Sequence, residues 1–468
     1  MSGYRCRMSI PFGFGIGGPG DPNGPGGGQP GGQPFDMANL GAALQQLGAM
    51  LQSSGGENAG PVNWTMVRDV ARQALVAAPG GDPSVPDAAA RAVSESIRLA
   101  DVWLDEATTF PATLGAPGAW SRSEWLEQTL PMWQRYVQPI AEHMAQMVGS
   151  MAPDAEQLAG LSPEDLAAQL PEELRALMPG GIPPEMLQML QPMLGLMRQL
   201  GAVAFSMQLG QSLAALAQEV VSAGDIGIPL LVSAHCALVP RNVEQFGEGI
   251  GVPVDDVRLY LSLRESAHQR LFAHVPWLRG RMVGAIEEYA RGITVDPQRM
   301  QEAMAGIDMS DPSQIQQAMA SGLLQPEDTE EQRAALARLE TLLALVEGWV
   351  DDVVTTAIAE RLPSAGALQE TMRRRRAAGG PAERTFATLV GMELRPRALR
   401  EAATVFAVTR ERAGIDGRDG LWAHPDLLPD ATDLADPLGF LERQALDWTF
   451  PEDGNGDDRG EDASDPRE

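Results

Sequence analysis

Apolar positions along most of the chain recur at intervals of three and four, the spacing that lines one face of a helix. The pattern predicts helices over 63–77, opened by Asn63, and over 86–106, 123–151, 253–274, 276–291, 329–362 and 383–412. Pro131 is expected to break the third of these. From 153 to 192 the text reads as a string of short helices, with Ser162-Pro163-Glu164 as a start signal. Met186, Met189, Met193 and Met197 keep helical spacing there and read as a core face, kinked at Pro192. Alternating β-branched runs are scarce, and the best strand candidate is 226–240. Arg373–Arg376 reads as a solvated turn between helices, with pairing to the acidic tail or an acidic partner as the alternative, and Asp416-Gly417 as the start of a closing segment. The fold class expected is mainly α, α+β at most.

Composition divides the chain further. Residues 11–35 hold eleven Gly and six Pro and cannot bury enough apolar surface to order, so 1–35 is expected to be disordered. Residues 36–220 form an N-terminal helical region, 221–430 a core, and 431–468 a closing segment with an acidic tail. Aromatics are only 5% of residues, so the core should rest on Leu, Ala, Val and Met. The net charge is −28 and every basic residue is arginine. That excludes Lys Schiff-base chemistry and argues against nucleic-acid binding, which needs phosphate neutralisation. Two cysteines, Cys6 and Cys236, supply neither a disulfide framework nor a multi-Cys zinc site, and His235-Cys236 reads as a buried structural pair. Asn63-Trp64-Thr65 matches a glycosylation acceptor but reads as a helix cap. The longest uncharged stretches, 37–56 and 199–218, carry too many Gln and Gly to span a bilayer, and the N-terminus lacks an apolar signal region. A cytoplasmic protein without membrane contact is expected.

Two anomalies carry the candidate chemistry. In the helix at 253–274, positions 257, 261, 264, 268 and 271 share a stripe, which puts Arg264 and His268 on an apolar face beside Glu265. In the helix at 329–362, Glu347 and Asp351 sit on or beside the stripe through Leu343, Val350 and Val354. Charges on apolar faces need partners. The two helices are therefore expected to face each other, with Arg264 paired to Glu347, Asp351 or both.

The five residues Arg264-Glu-Ser-Ala-His268 are one residue short of H-E-x-x-H, in which two His bind zinc and the Glu activates a zinc-bound water. Glu347-Gly-Trp-Val-Asp351 matches the Glu-x-x-x-Asp arrangement that supplies a third ligand and an orienting Asp. Together with GPVNW at 60–64, WLDEATTFP at 103–111, FAHVPWLRGRM at 272–282 and VEGWVDDV at 346–353, the text resembles a zincin-like metallopeptidase family of actinobacteria. One branch of that family is associated with deazaflavin-coenzyme biosynthesis. The resemblance covers roughly 60–430 and makes 221–430 the zincin-like core. It implies Glu265 as the catalytic residue, His268 and Glu347 as metal ligands, and Asp351 as the orienting Asp. Arg264 stands where the first ligand His belongs, and Trp349 where the related branch has a His. A guanidinium has no lone pair to give a metal. His274, six residues after His268, would need a Gly at 271 to turn toward the same metal; Leu271 stands there, and about 600° of helical rotation separates the two.

Two functions follow. The family reading is a zinc-dependent hydrolase acting on peptides through Glu265. The alternative is a non-catalytic scaffold for a protein or peptide partner, with a salt-bridge network in the former metal site. Zinc is expected at well below one equivalent or not at all, since a catalytic zinc normally has three protein ligands.

Overall fold

The computed structural model describes residues 60–151, 184–293, 329–359, 361–377 and 398–447. The expected disordered segment and acidic tail, the short helices before 184 and the start of the helix at 383 lie outside them. The side chains of the Met186–Met197 stripe do too.

Within the described residues the fold is mainly helical, as expected. Helix α1 (Trp64–Ala77) starts where the Asn63 side chain accepts the Met66 N–H, so this Asn serves as a cap. It packs against α4 (Pro184–Glu219). Helix α2 (Asp87–Leu104) follows, then the two-residue strand β1 (Gly118–Ala119) and α3 (Arg122–Met151). The expected break at Pro131 does not occur: α3 runs through both Pro131 and Pro139. Pro131 and Glu127, whose carbonyl loses its donor, are both exposed, so water can replace the missing bond.

The centre is α6 (Val254–His274), reached through α5 (Pro240–Gly247). Helix α6 packs on α2 and on α8 (Glu330–Ile358). It is buried nearly all round from Tyr260 to Phe272, not along one stripe, so Ser262, Ser266, Gln269 and Arg270 are enclosed with Arg264 and His268. Helix α7 (Pro276–Gly292) packs on α3 and α8. Helix α8 opens with a capping box in which Thr329 and Gln332 satisfy each other's backbone N–H.

Three expectations for the chain around this centre need correction. Only Ala237–Leu238 of 226–240 forms a strand, β2, paired in parallel with β1. Gly227, with φ near +81°, and Pro229 break the extended run; 221–231 is a buried irregular stretch, and 232–235 come to the surface before Cys236. The arginine run is not a solvated turn. It forms the end of α9 (Ala365–Ala377): Arg375 and Arg376 turn inward to Asp225 and Glu347, whereas Arg373 and Arg374 are exposed, with Arg373 reaching Asp351 from the surface. Helix α10 (Leu399–Gly420) continues past Asp416-Gly417, kinked at Gly414, before 3-10 turns and the short helices α11 (Ala431–Ala435) and α12 (Pro437–Asp447).

One hydrophobic cluster runs from Val62 to Phe440. Though aromatics are few, Trp125, Trp133, Trp349 and Trp422 are among its largest fully buried side chains. No described helix is long and apolar enough to cross a membrane.

Candidate functional site

Helices α6 and α8 meet through the residues that looked anomalous in sequence. Arg264 Nη2 donates to Glu347 Oε2 at 2.5 Å, and Arg264 Nη1 lies 3.9 Å from Asp351 Oδ1. His268 Nε2 lies 3.0 Å from Glu347 Oε1, while His268 Nδ1 lies 2.8 Å from the Arg264 carbonyl. A carbonyl only accepts, so Nδ1 donates to it. Nε2 can then bond the Glu347 carboxylate only as a second donor, and a donating nitrogen offers no lone pair.

Glu265 turns to another neighbourhood. Its Oε2 accepts the Gly224 N–H at 2.7 Å, and its Oε1 accepts Gln269 Nε2 at 3.0 Å and the Ala237 N–H at 3.2 Å. The loop at 221–224 reaches it because Ala223 N donates to the Ala237 carbonyl and Val239 N to the Val221 carbonyl, which fold the loop against β2. A Cβ at Gly224 would come within 2.9 Å of both Glu265 Oε2 and His268 Cβ, so only glycine lets the backbone approach this closely. Burial raises the Glu265 carboxyl above its ordinary value, against the hydrogen bonds from Ser222, Gly224 and Ala237.

Three participants escaped the sequence reading. Arg376 Nη2 donates to Glu347 Oε1 at 2.7 Å, Arg373 Nη2 to Asp351 Oδ2 at 3.1 Å, and Arg375 pairs with Asp225 through both oxygens, at 2.9 and 2.8 Å. The available signal was Leu368 and Met372, spaced four apart, which extend a helix into the arginine run. For Glu347, burial alone would raise the carboxyl, but Arg376, His268 and Arg264 overcome it and hold the acid well below the ordinary carboxylate range. For Arg264, burial works against the charge, yet Tyr260, Glu347 and Asp351 outweigh it and keep the guanidinium protonated.

This donor set does not fit zinc. A catalytic zinc needs three protein ligands with an open fourth position. Here Glu347 accepts from two guanidiniums and an imidazole, and His268 spends both nitrogens on protein acceptors. The guanidiniums of Arg264 and Arg376 lie against Glu347 where a cation would need to bind. Among the described residues no three His, Cys, Asp or Glu side chains group to hold a metal. His274 does not join His268: it is exposed, bonds the Arg270 carbonyl through Nδ1 and stacks on Phe110.

Access is closed as well. Arg264, Glu265, His268 and Glu347 are 5, 0, 1 and 2% exposed. A cavity of about 710 Å³ lies between α7, α8 and residues 425–432, and one of about 240 Å³ lies beside His274 and Asp419; none of the candidate residues lines either. Cys236 is a buried free thiol pushed up to about 12 by burial, with Glu265 nearby, and is therefore a poor nucleophile. His235 is only half-buried, so the expected buried pair holds for Cys236 alone.

The longer motifs meet at a second polar centre. Asp419 Oδ1 accepts Trp349 Nε1 at 2.8 Å, and Asp419 Oδ2 accepts the Thr109 N–H and the Thr108 hydroxyl, each at 2.7 Å. Arg418 joins Asp419, Asp352 and the Ala107 carbonyl. The segments 103–111 and 346–353 are thus tied together by one buried acid and one buried arginine, a structural role.

The comparisons with known proteins agree with this architecture. A search of curated proteins finds no match. A solved structure described as "Crystal structure of a putative hydrolase with a novel fold from Chloroflexus aurantiacus" aligns with a TM-score of 0.53 at 16% identity, covering 82% of this chain and 99% of that one. At that identity the likeness shows the fold alone. The family model of the zincin-like metallopeptidases matches residues 62–441, across both helices of the site and both polar centres. By that match, the chain belongs to the zincin-like metallopeptidase family.

Proposed function

We propose that this chain is a non-catalytic member of its family, a protein that keeps the zincin-like scaffold and works by binding a protein or peptide partner. The observation that carries this is Glu347. The side chain that the family resemblance makes a zinc ligand instead accepts Arg264, Arg376 and His268 in a closed, buried cluster. Glu265, the residue matched to the water-activating Glu, has both oxygens engaged and no exposure. An actinobacterial origin and kinship with the deazaflavin-associated branch are part of the same proposal and rest on the sequence motifs. So is a cytoplasmic setting, which agrees with Cys236 being a free thiol.

The family's hydrolase activity is the second reading. It is favoured by the match over 62–441 and by the retained Glu265, His268 and Glu347. Elemental analysis after dialysis separates the two readings. The non-catalytic protein should hold zinc at well below one equivalent, and a chelator should leave its melting temperature unchanged. Stoichiometric zinc, with hydrolysis of a peptide library lost in Glu265→Gln, would establish the hydrolase instead.

A further inference from the structure

Arg375 sits in a pocket shaped for a guanidinium. Its Nη1 and Nη2 meet the two Asp225 oxygens in a parallel fork, and Nη2 also donates to the Glu219 carbonyl at 2.7 Å. Its guanidinium carbon lies 5.9 Å from the centroid of the Phe246 ring. The next residue, Arg376, donates to the Asp225 carbonyl at 2.5 Å and to Glu347. Of the run, Arg374 alone pairs within its own helix, with Glu370.

The seat and its occupant belong to different parts of the fold. The acceptors and the ring come from the end of α4, the turn at 224–226, α5 and α8. The guanidiniums all come from α9. That helix has 13 residues, a length marginal on its own, and its buried apolar anchors are Ala365, Leu368 and Met372. Arg373, Arg375 and Arg376 add ion pairs to this attachment, and Gln369 adds a hydrogen bond to Thr355 of α8. Asp225 is enclosed by the core and needs a cation in place: burial opposes its charge, and Arg375 and Arg376 restore it.

We propose that this seat is a recognition site for consecutive arginines, filled in cis by α9 and opened, when α9 lifts, to a partner peptide that carries an arginine run. The proposal gives the interaction role above a ligand class and rests on that role. The pocket's chemistry selects arginine over lysine, because an ammonium is a point charge that cannot meet both Asp225 oxygens in a parallel fork.

The test titrates the full-length protein with fluorescein-labelled acetyl-tetra-arginine amide and with its tetra-lysine counterpart, at equal ionic strength. Arg375→Ala/Arg376→Ala empties the seat. This variant should bind the arginine peptide roughly tenfold more tightly than the wild type does, and roughly tenfold more tightly than it binds the lysine peptide. Adding Asp225→Asn should erase the preference. Equal affinity for the two peptides, or a gain untouched by Asp225→Asn, would overturn the proposal and leave only general attraction to a chain of charge −28. The wild type supplies a measurement that needs no substitution and decides alone if the variant does not fold. Hydrogen exchange across 365–377 should accelerate with the arginine peptide and not with the lysine peptide; unchanged exchange overturns the site. Zinc content and peptide hydrolysis are read on the same samples. No arginine preference with zinc absent defeats the arginine site alone, whereas stoichiometric zinc with hydrolysis defeats the non-catalytic role.

Discussion

At Arg264 the choice of one side chain decides what the site can be. Removing it takes from buried Glu347 one of its two guanidiniums and leaves the space of its own side chain empty, so Arg264→Ala should cost about 3 kcal/mol in denaturant unfolding, the low end for a broken buried pair. Arg264→His restores the family's ligand pattern in sequence, but Arg376 would still hold Glu347 Oε1. Zinc should therefore leave the melting temperature of Arg264→His unchanged, and should raise it only in Arg264→His/Arg376→Leu. A zinc-dependent rise in the single variant would show that Arg376 yields its place. Glu347 adds a pH signature. Its folded value lies below its ordinary value of 4.5, so its stabilisation is present above that value and is lost as pH falls toward the folded one. The stability gap between wild type and Glu347→Gln should thus be widest near neutral pH and narrow steadily below about pH 4; a gap that widens on acidification would contradict the assignment. The Arg264–Glu347 pair was readable in sequence because both charges interrupt apolar stripes and their signs match. Arg375 and Asp225 were not, because they lie 150 residues apart and neither breaks a strong periodic pattern.

Helices were legible wherever a periodic stripe and a cap coincided, as at Asn63 and Thr329. The reading failed where burial came without regular structure. The stretch 226–231 is apolar and partly β-branched because it is enclosed, not because it pairs, and a buried loop of that kind looks like a strand. Pro131 misled for the opposite reason: an exposed helix face tolerates the lost hydrogen bond. Gly348 lies inside α8, and the structure gives it a packing reason. A Cβ there would lie 2.7 Å from both Ala402 Cβ and Ala403 N on α10. Gly348→Ala gains about 1 kcal/mol of helix propensity but forces two backbones apart, which costs about 1–3 kcal/mol. Gly348→Ala is expected to melt below the wild type, and a higher melting temperature would mean that α10 moves freely against α8.

At the scale of the whole molecule, buried charge of both signs is paired. The chain carries −28; among the described residues Arg122, Arg264, Arg270 and Arg418 are buried alongside Asp225, Glu265, Glu347, Asp352 and Asp419, and the arginines meet acids, carbonyls or a side-chain amide. Many acidic side chains, such as Asp69, Glu106, Asp255 and Asp426, are exposed. Salt acts differently on these two populations. Exposed like charges repel through solvent and are screened over about 8–10 Å at moderate ionic strength, whereas buried pairs are shielded from the ions and keep most of their attraction. Raising sodium chloride from about 0.02 to 0.3 M should therefore relieve the surface repulsion and raise the melting temperature by a few degrees. If the arginine pairs stabilised the fold chiefly from exposed positions, the same salt would lower it. Differential scanning calorimetry across that range reads the sign directly. Glu347→Gln should keep the upward slope, since the cluster it disrupts lies where salt does not reach.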